Sequence, residues 1–233
     1  NSAALTIAEW SRWEIPFSAL TGAGVNLAAV EKLYIGLGRT VYLLPGGAGT
    51  IRIDDIRVIK PVVILEPADV TAPGDTVKGV PNDGDWPANE APPLAIDNNV
   101  NTKYLHFKGD FDPNAGPTGF QVTPSASQTI VTGLTFTTAN DVPGRDPTAF
   151  ALYGSNVSIA GPYTLIASGE IVDFKAATEW PRFTKNTTPI SFDNAVAYDY
   201  YQLLFTAIRG PVGGSVNSMQ IAEVELIGVS ANR

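Results

Sequence analysis

Ala95-Ile96-Asp97-Asn98-Asn99-Val100-Asn101-Thr102 and, at the far end, Gln220-Ile221-Ala222-Glu223-Val224-Glu225-Leu226 decide the fold of this 233-residue chain. Asp97, Asn99 and Thr102 lie in a turn-rich segment that must fold back on itself. A hard cation needs roughly six to eight oxygens from carboxylates, carbonyls and hydroxyls. This loop offers one carboxylate, closely spaced carbonyls and a hydroxyl, which is half of such a shell. Glu223 adds charge from the closing strand, with the carbonyl of Ala222. The segments read as two halves of an oxygen-only site that ties a β-sandwich closed, restricting the unfolded chain much as a cross-link does. The competing reading is that Asp97 and Thr102 only cap a turn.

The rest of the chain agrees with a sandwich. Gly 22 and Pro 18 are abundant and scattered, which suits short strands joined by turns. Ile130, Leu134 and Phe136 alternate with Val131, Thr135 and Thr137, and Phe150 and Leu152 with Ala151 and Tyr153. Residues 163–166 read as a short strand, Tyr200 to Phe205 as a strand buried on both faces, and Met219 to Ile227 as the closing strand. No stretch holds a helical period, and there is no repeat. Several short strands with turns between them predict an antiparallel sandwich.

Composition excludes several functions. A net charge of −8 argues against nucleic acid, which demands a clustered basic surface. No apolar run is long enough for membrane insertion. With no Cys, disulfides and thiolate metal sites are excluded. Asn1 is not a natural start, so a fragment or processed product of a longer protein is expected.

Before residue 61 the chain reads differently. Ile51 and Ile53 share a face while Ile56 and Val58 fall out of step, which predicts a β-bulge at Asp54-Asp55. Gly46-Gly47-Ala48-Gly49 reads as a turn and lacks the Lys-Ser/Thr of a phosphate loop. Trp13-Glu14-Ile15-Pro16-Phe17, Val30-Glu31-Lys32-Leu33-Tyr34-Ile35-Gly36 and Ile53-Asp54-Asp55-Ile56 resemble the C-terminal half of a jelly-roll carbohydrate-binding module. So short a segment cannot complete such a sandwich. A truncated module, or one completed by another chain, is expected.

The later region resembles the coagulation factor 5/8 type C (discoidin) domain and its bacterial relatives, the family 32 carbohydrate-binding modules. Residues 94–104, Phe150-Ala151-Leu152-Tyr153-Gly154-Ser155-Asn156 and Ser218-Met219 through Leu226 carry the likeness, which covers about two thirds of the chain. It implies an all-β fold: an antiparallel, galactose-binding-like jelly-roll sandwich at 74–229, behind a partial second sandwich at 1–61 and a linker or lead-in strand at 62–73. It also implies structural calcium, held by the carbonyls of Leu94, Asn99 and Ala222, the side chains of Asp97 and Glu223, and Thr102.

In that family, sugars bind on the loops at the metal end, where aromatic stacking and polar groups together compete with water. The candidates are Trp86, His106, Arg145, Trp180 and Asn217. Four of them have a plain alternative. Trp86 would pack over the sandwich mouth, His106 would be a surface histidine without a role, Arg145 would pair with Asp146 or Asp141, and Trp180 would be core or rim packing. Ala139-Asn140-Asp141 stands where galactose-binding relatives carry an Arg, which argues against galactose. Asn186-Thr187-Thr188 matches a glycosylation acceptor.

Catalysis is disfavoured. His106 is the sole histidine and no Gly-x-Ser-x-Gly elbow exists. Asp83, Asp85, Glu90, Asp110 and Asp112 offer carboxylates for a glycosidase, but in loops whose default is a solvated turn. The expectation is a non-catalytic, calcium-stabilised carbohydrate-binding region of a large secreted, bacterial, polysaccharide-active protein. Its partners would be a polysaccharide or glycan and other modules of the same protein. The alternatives are a protein–protein or cell-surface adhesion module, and a glycoside hydrolase.

Overall fold

The computed structural model describes residues 9–10, 12–35, 52–57, 66–109, 117–210, 216 and 218–231. The chain divides into two compact units, Asn1–Val62 and Val63–Arg233.

The described residues of the first unit contain no strand. They hold one short helix, α1 (Phe17–Gly22), and a 3-10 turn over Leu27–Ala29 in which the Ala28 N–H donates to the Asn26 side chain. The expected partial sandwich is therefore not present in them. A strand needs a ladder partner and a second layer to cover its apolar face, and here Trp10, Trp13 and Tyr34 remain 72%, 61% and 83% exposed. The predicted bulge at Asp54-Asp55 is not present, because residues 52–57 form no strand. Asp55 adopts φ 56, and its N–H donates to the Asp54 carboxylate at 2.7 Å. The Gly46–Gly49 turn, Ile51, Val58 and residues 61–65 lie outside the described residues.

The second unit is an antiparallel β-sandwich. Its strands are β1 (Ala68–Asp69), β2 (Thr76–Val80), β3 (Tyr104–His106), β4 (Thr118–Thr123), β5 (Thr129–Thr137), β6 (Pro147–Ser155), β7 (Thr164–Glu170), β8 (Ile190–Ser191), β9 (Tyr200–Ile208), β10 (Met219–Ile221) and β11 (Glu223–Ser230). A single helical turn, α2 (Val172–Lys175), follows β7. One sheet runs β1-β11-β5-β8 and the other β2-β4-β9-β6-β7, with β10 and β3 forming a separate ribbon. The sheets enclose a core rich in large side chains, among them Tyr104, Phe120, Phe136, Phe174, Tyr201 and Phe205. No helix among the described residues is long and apolar enough to cross a membrane.

Three strand readings are corrected. Period-two counting puts Ile130 on the face of Leu134 and Phe136, yet Val131 is buried with them and Ile130 is not. The cause is a register shift: Ile227 pairs with Gly133 but Gly228 with Val131, so Thr132 is the extra residue of a bulge that resets the alternation. The run Tyr200 to Phe205 is buried on one face only, by Tyr201, Leu203 and Phe205, because β9 is the middle strand of a sheet whose other face is open. The closing strand is also divided. Ala222 separates β10, which pairs with β3, from β11, which pairs with β5.

That division positions the two segments quoted first. Glu223 is opposite Thr137 and Ile221 opposite Tyr104, so the segment before β3 reaches the start of β11. Nearby, Arg182 clamps the start of β6: its Nη1 and Nη2 donate to the buried Asp146 carboxylate at 2.5 and 2.6 Å, and its Nε to the Ala139 carbonyl. A lysine cannot reproduce this fork. Arg182→Lys is expected to lower unfolding free energy in urea by about 2 kcal/mol; no change would show the pair to be dispensable.

Candidate functional site

The two segments quoted first meet. Asn99 N–H donates both to Asp97 Oδ1 (3.0 Å) and to Glu223 Oε1 (2.9 Å), so the two carboxylates are neighbours. Asn98, at φ 59, makes the reversal that turns this N–H inward. The Thr102 hydroxyl lies 2.9 and 2.8 Å from the two Asp97 oxygens and 2.7 Å from the Asn99 carbonyl. One hydroxyl proton cannot serve three acceptors. Glu223 is 5% exposed, and its Oε2 is buried without a hydrogen-bond partner. Burial, then hydrogen bonding to Asp97 and its charge, push the Glu223 carboxyl up to about 8, against the pull of backbone N–H groups at Asn99 and Asn98.

Electron-rich oxygens thus converge with too few protons between them, which is the condition a hard cation relieves. Leu94 sits in the 3-10 turn Pro92–Ala95 that leads into Asp97, and Ala222 is the buried junction of β10 and β11. Among the described residues no group of three His, Cys, Asp or Glu side chains converges. An ion here would rest on two carboxylates, with carbonyls and a hydroxyl supplying the rest. Glu225, two residues on, behaves oppositely: despite burial, Lys185 (2.6 Å) and Thr135 (2.7 Å) hold its carboxyl below the ordinary value.

Of the five ligand candidates, the structure brings two together. Trp86 and His106 rings stand edge to face at 5.7 Å, with Tyr104 6.3 Å from each. Trp86 is half-buried over Gly79, where an added Cβ would be 2.7 Å from the indole. His106 is fully buried, which corrects the surface-histidine reading. Its Nδ1 accepts from Lys108 N–H, leaving Nε2 to face the Pro81 carbonyl and Asp83, both at 3.4 Å. Burial lowers its pKa against the pull of that carbonyl and of Asp83, so the ring is neutral. β3 ends inside the sandwich mouth, and periodicity could not reveal that.

Arg145 lies in a separate 3-10 turn, Pro143–Arg145, and makes no ion pair or hydrogen bond with either expected partner: Asp146 is held by Arg182 and Asp141 by Lys103, although the Arg145 charge still acts on the Asp141 carboxylate from farther off. Trp180 packs on Phe174 at 6.5 Å and leaves its Nε1 buried without an acceptor. Asn217 lies outside the described residues. Asn186 is buried, its Oδ1 accepting from Phe136 N–H and its Nδ2 donating to Thr188 O, so the sequon amide is used by the fold. Asp83 is bound to Lys108 and Glu90 faces Lys103, while Asp110 and Asp112 are outside the described residues.

Sequence reading missed Phe107, Lys103 and Gln220. Phe107 follows the buried strand β3 and is 44% exposed. Lys103, itself buried, donates to Asp141 (2.9 Å) and Gln220 (3.1 Å). A lysine beside the turn threonine Thr102 reads as solvated, and only the pairing of β3 with β10 brings Gln220 to it.

No protein-family model matches the sequence, and no curated protein matches it. Solved structures do. A family 32 module from a family 31 glycoside hydrolase of Clostridium perfringens superposes with a TM-score of 0.52 at 12% identity, covering 70% of this chain and 95% of that one. The paired family 32 domains of Clostridium perfringens ZmpB, solved in complex with GalNAc, give 0.51 at 19% identity, covering 70% of this chain and 36% of that one. An F5/8 type C domain from Bacteroides fragilis gives 0.44 at 16% identity, covering 70% and 95%. At such identities the likeness concerns fold alone. The second unit has the discoidin-like β-sandwich fold of the family 32 carbohydrate-binding modules.

Proposed function

We propose that the second unit is a non-catalytic, calcium-stabilised carbohydrate-binding module within a larger secreted bacterial protein that acts on polysaccharide. The observation that carries this reading is the convergence of Asp97, Thr102, the Asn99 carbonyl and Glu223 on one under-protonated point in a discoidin-like sandwich. In this reading calcium joins the segment before β3 to the start of β11 and so holds rigid the loops that meet a sugar. The ion supplies charge neutralisation there and takes no part in bond breaking. The GalNAc complex of a module with this fold supports a glycan as the partner.

Phe107, exposed directly after β3, provides the stacking surface, since the Trp86 and His106 rings pack against each other. Affinity electrophoresis of the full chain with calcium present, on neutral and acidic polysaccharides, tests the assignment. Retention on at least one is expected, weakened roughly tenfold, about 1.4 kcal/mol, by Phe107→Ala. Free migration through every polysaccharide would refute the reading.

A further inference from the structure

We propose that Arg145 is the anchor for a carboxylate on the bound glycan, making the ligand an acidic sugar rather than a neutral one. This rests on the reading of the loop end as a glycan site. Three other cations lie near this turn, and each is satisfied. Lys103 is bound to Asp141, and Arg182 to Asp146. Arg209 donates to the carbonyls of Phe174, Ala176 and Ala177. Arg145 alone among these four has neither an ion pair nor a hydrogen bond from its side chain among the described residues, and its Nε is buried without an acceptor. The part of the guanidinium left to meet a ligand is therefore its terminal Nη pair. Two parallel N–H groups match the two oxygens of a carboxylate, whereas a sugar hydroxyl leaves the charge unmatched.

The turn that presents Arg145 is held in a conformation its residues would not choose. Val142 adopts φ 35 and ψ 76, left-handed backbone that a β-branched residue rarely visits. Gln220, fully buried, holds it there: its Nε2 donates to the carbonyls of Asp141 and Val142, while its Oε1 accepts from Lys103. The far side is pinned by Gly210 N–H donating to Gly144 O at 2.7 Å, an approach so close that a Cβ on Gly210 would be 2.9 Å from that oxygen. Strain of this kind persists where the surroundings over-determine it, and here it fixes the direction of a cation that has no ion pair or hydrogen bond among the described residues and feels the Asp141 carboxylate only at longer range. Lys103 and Gln220 are thus positioning residues for Arg145.

The test uses the full chain with calcium and 150 mM salt, on polygalacturonate, on its methyl ester, and with sialyllactose against lactose. The net charge of −8 opposes nonspecific capture of a polyanion, so retention must come from a local site. Binding at least tenfold tighter to one acid form than to its neutral counterpart is expected. Arg145→Ala should erase that difference without moving the melting temperature. Arg145→Lys, which keeps charge but not the fork, should recover only a small part of it. Tight binding to polygalacturonate places the carboxylate within a chain, and to sialyllactose at its end; either supports the proposal. Equal binding to acid and neutral forms, or an acid preference that survives in Arg145→Ala, overturns it while leaving the glycan-binding assignment standing. Absence of binding to all four, and to neutral galactan, overturns both.

Discussion

Chelation of divalent cations is expected to lower the melting temperature of this protein by roughly 10 °C at pH 8, if free calcium beforehand is about a thousand times its dissociation constant; binding then contributes about 4 kcal/mol, and each kcal/mol shifts a domain of this size by about 2–4 °C. The effect follows from Glu223, whose carboxyl is pushed up to about 8 by burial and by Asp97. Without metal, the folded protein keeps a proton that the unfolded chain gives up near the ordinary value of 4.5. Across the window from 4.5 to about 8 the folded state binds more protons, so metal-free stability falls as pH rises and levels off above it. With calcium the slope flattens or reverses, because metal binding releases that proton and strengthens as pH rises. Glu223→Gln keeps the shape and removes the charge. It should abolish both the calcium shift and the metal-free decline. Calorimetry from pH 5 to 9, with calcium and with EGTA, reads all of this. A melting temperature indifferent to EGTA, or metal-free stability that climbs with pH, would contradict the metal reading.

Gly119→Ala is expected to cost more than about 4 kcal/mol and to leave little soluble protein, since a loss that large requires a specific steric failure. Gly119 lies in β4, between β2 and β9, where a Cβ would stand 1.9 Å from the Leu203 carbonyl oxygen. The obstruction is backbone in the adjacent strand, so no rotamer change relieves it. The Gly119 carbonyl also accepts from the buried Tyr104 hydroxyl at 3.1 Å, which ties the strand to the β3–β10 ribbon. Gly169→Ala is the control. In edge strand β7 its Cβ would meet only the Phe150 ring, at 3.5 and 3.6 Å, so a change within about 0.5 kcal/mol is expected. Comparable soluble yields and urea midpoints for the two variants would show that the β4–β9 approach tolerates a side chain.

The sequence by itself determined the class of the second unit and the pairing of its two distant segments. Alternation, turn residues and the absence of Cys leave an antiparallel sandwich as the arrangement that buries these strands, and the joined motifs carry their own geometry. It misjudged whatever depends on a neighbour. The bulge at Thr132 arises from how β5 meets β11, so counting by twos put Ile130 in the core in place of Val131. His106 read as surface because nothing in its flanking residues shows that β3 pairs with β10 inside the mouth. The expected strands before residue 61 had apolar alternation but no covering layer among the described residues, and alternation alone does not make a sheet. Only the tertiary structure decided which charges meet: Arg182 took Asp146, Lys103 took Asp141, and Arg145 was left without an ion pair or hydrogen bond among the described residues. Local patterns follow from a residue's own backbone and side chain, whereas burial and charge pairing are set by whichever part of the chain arrives beside it.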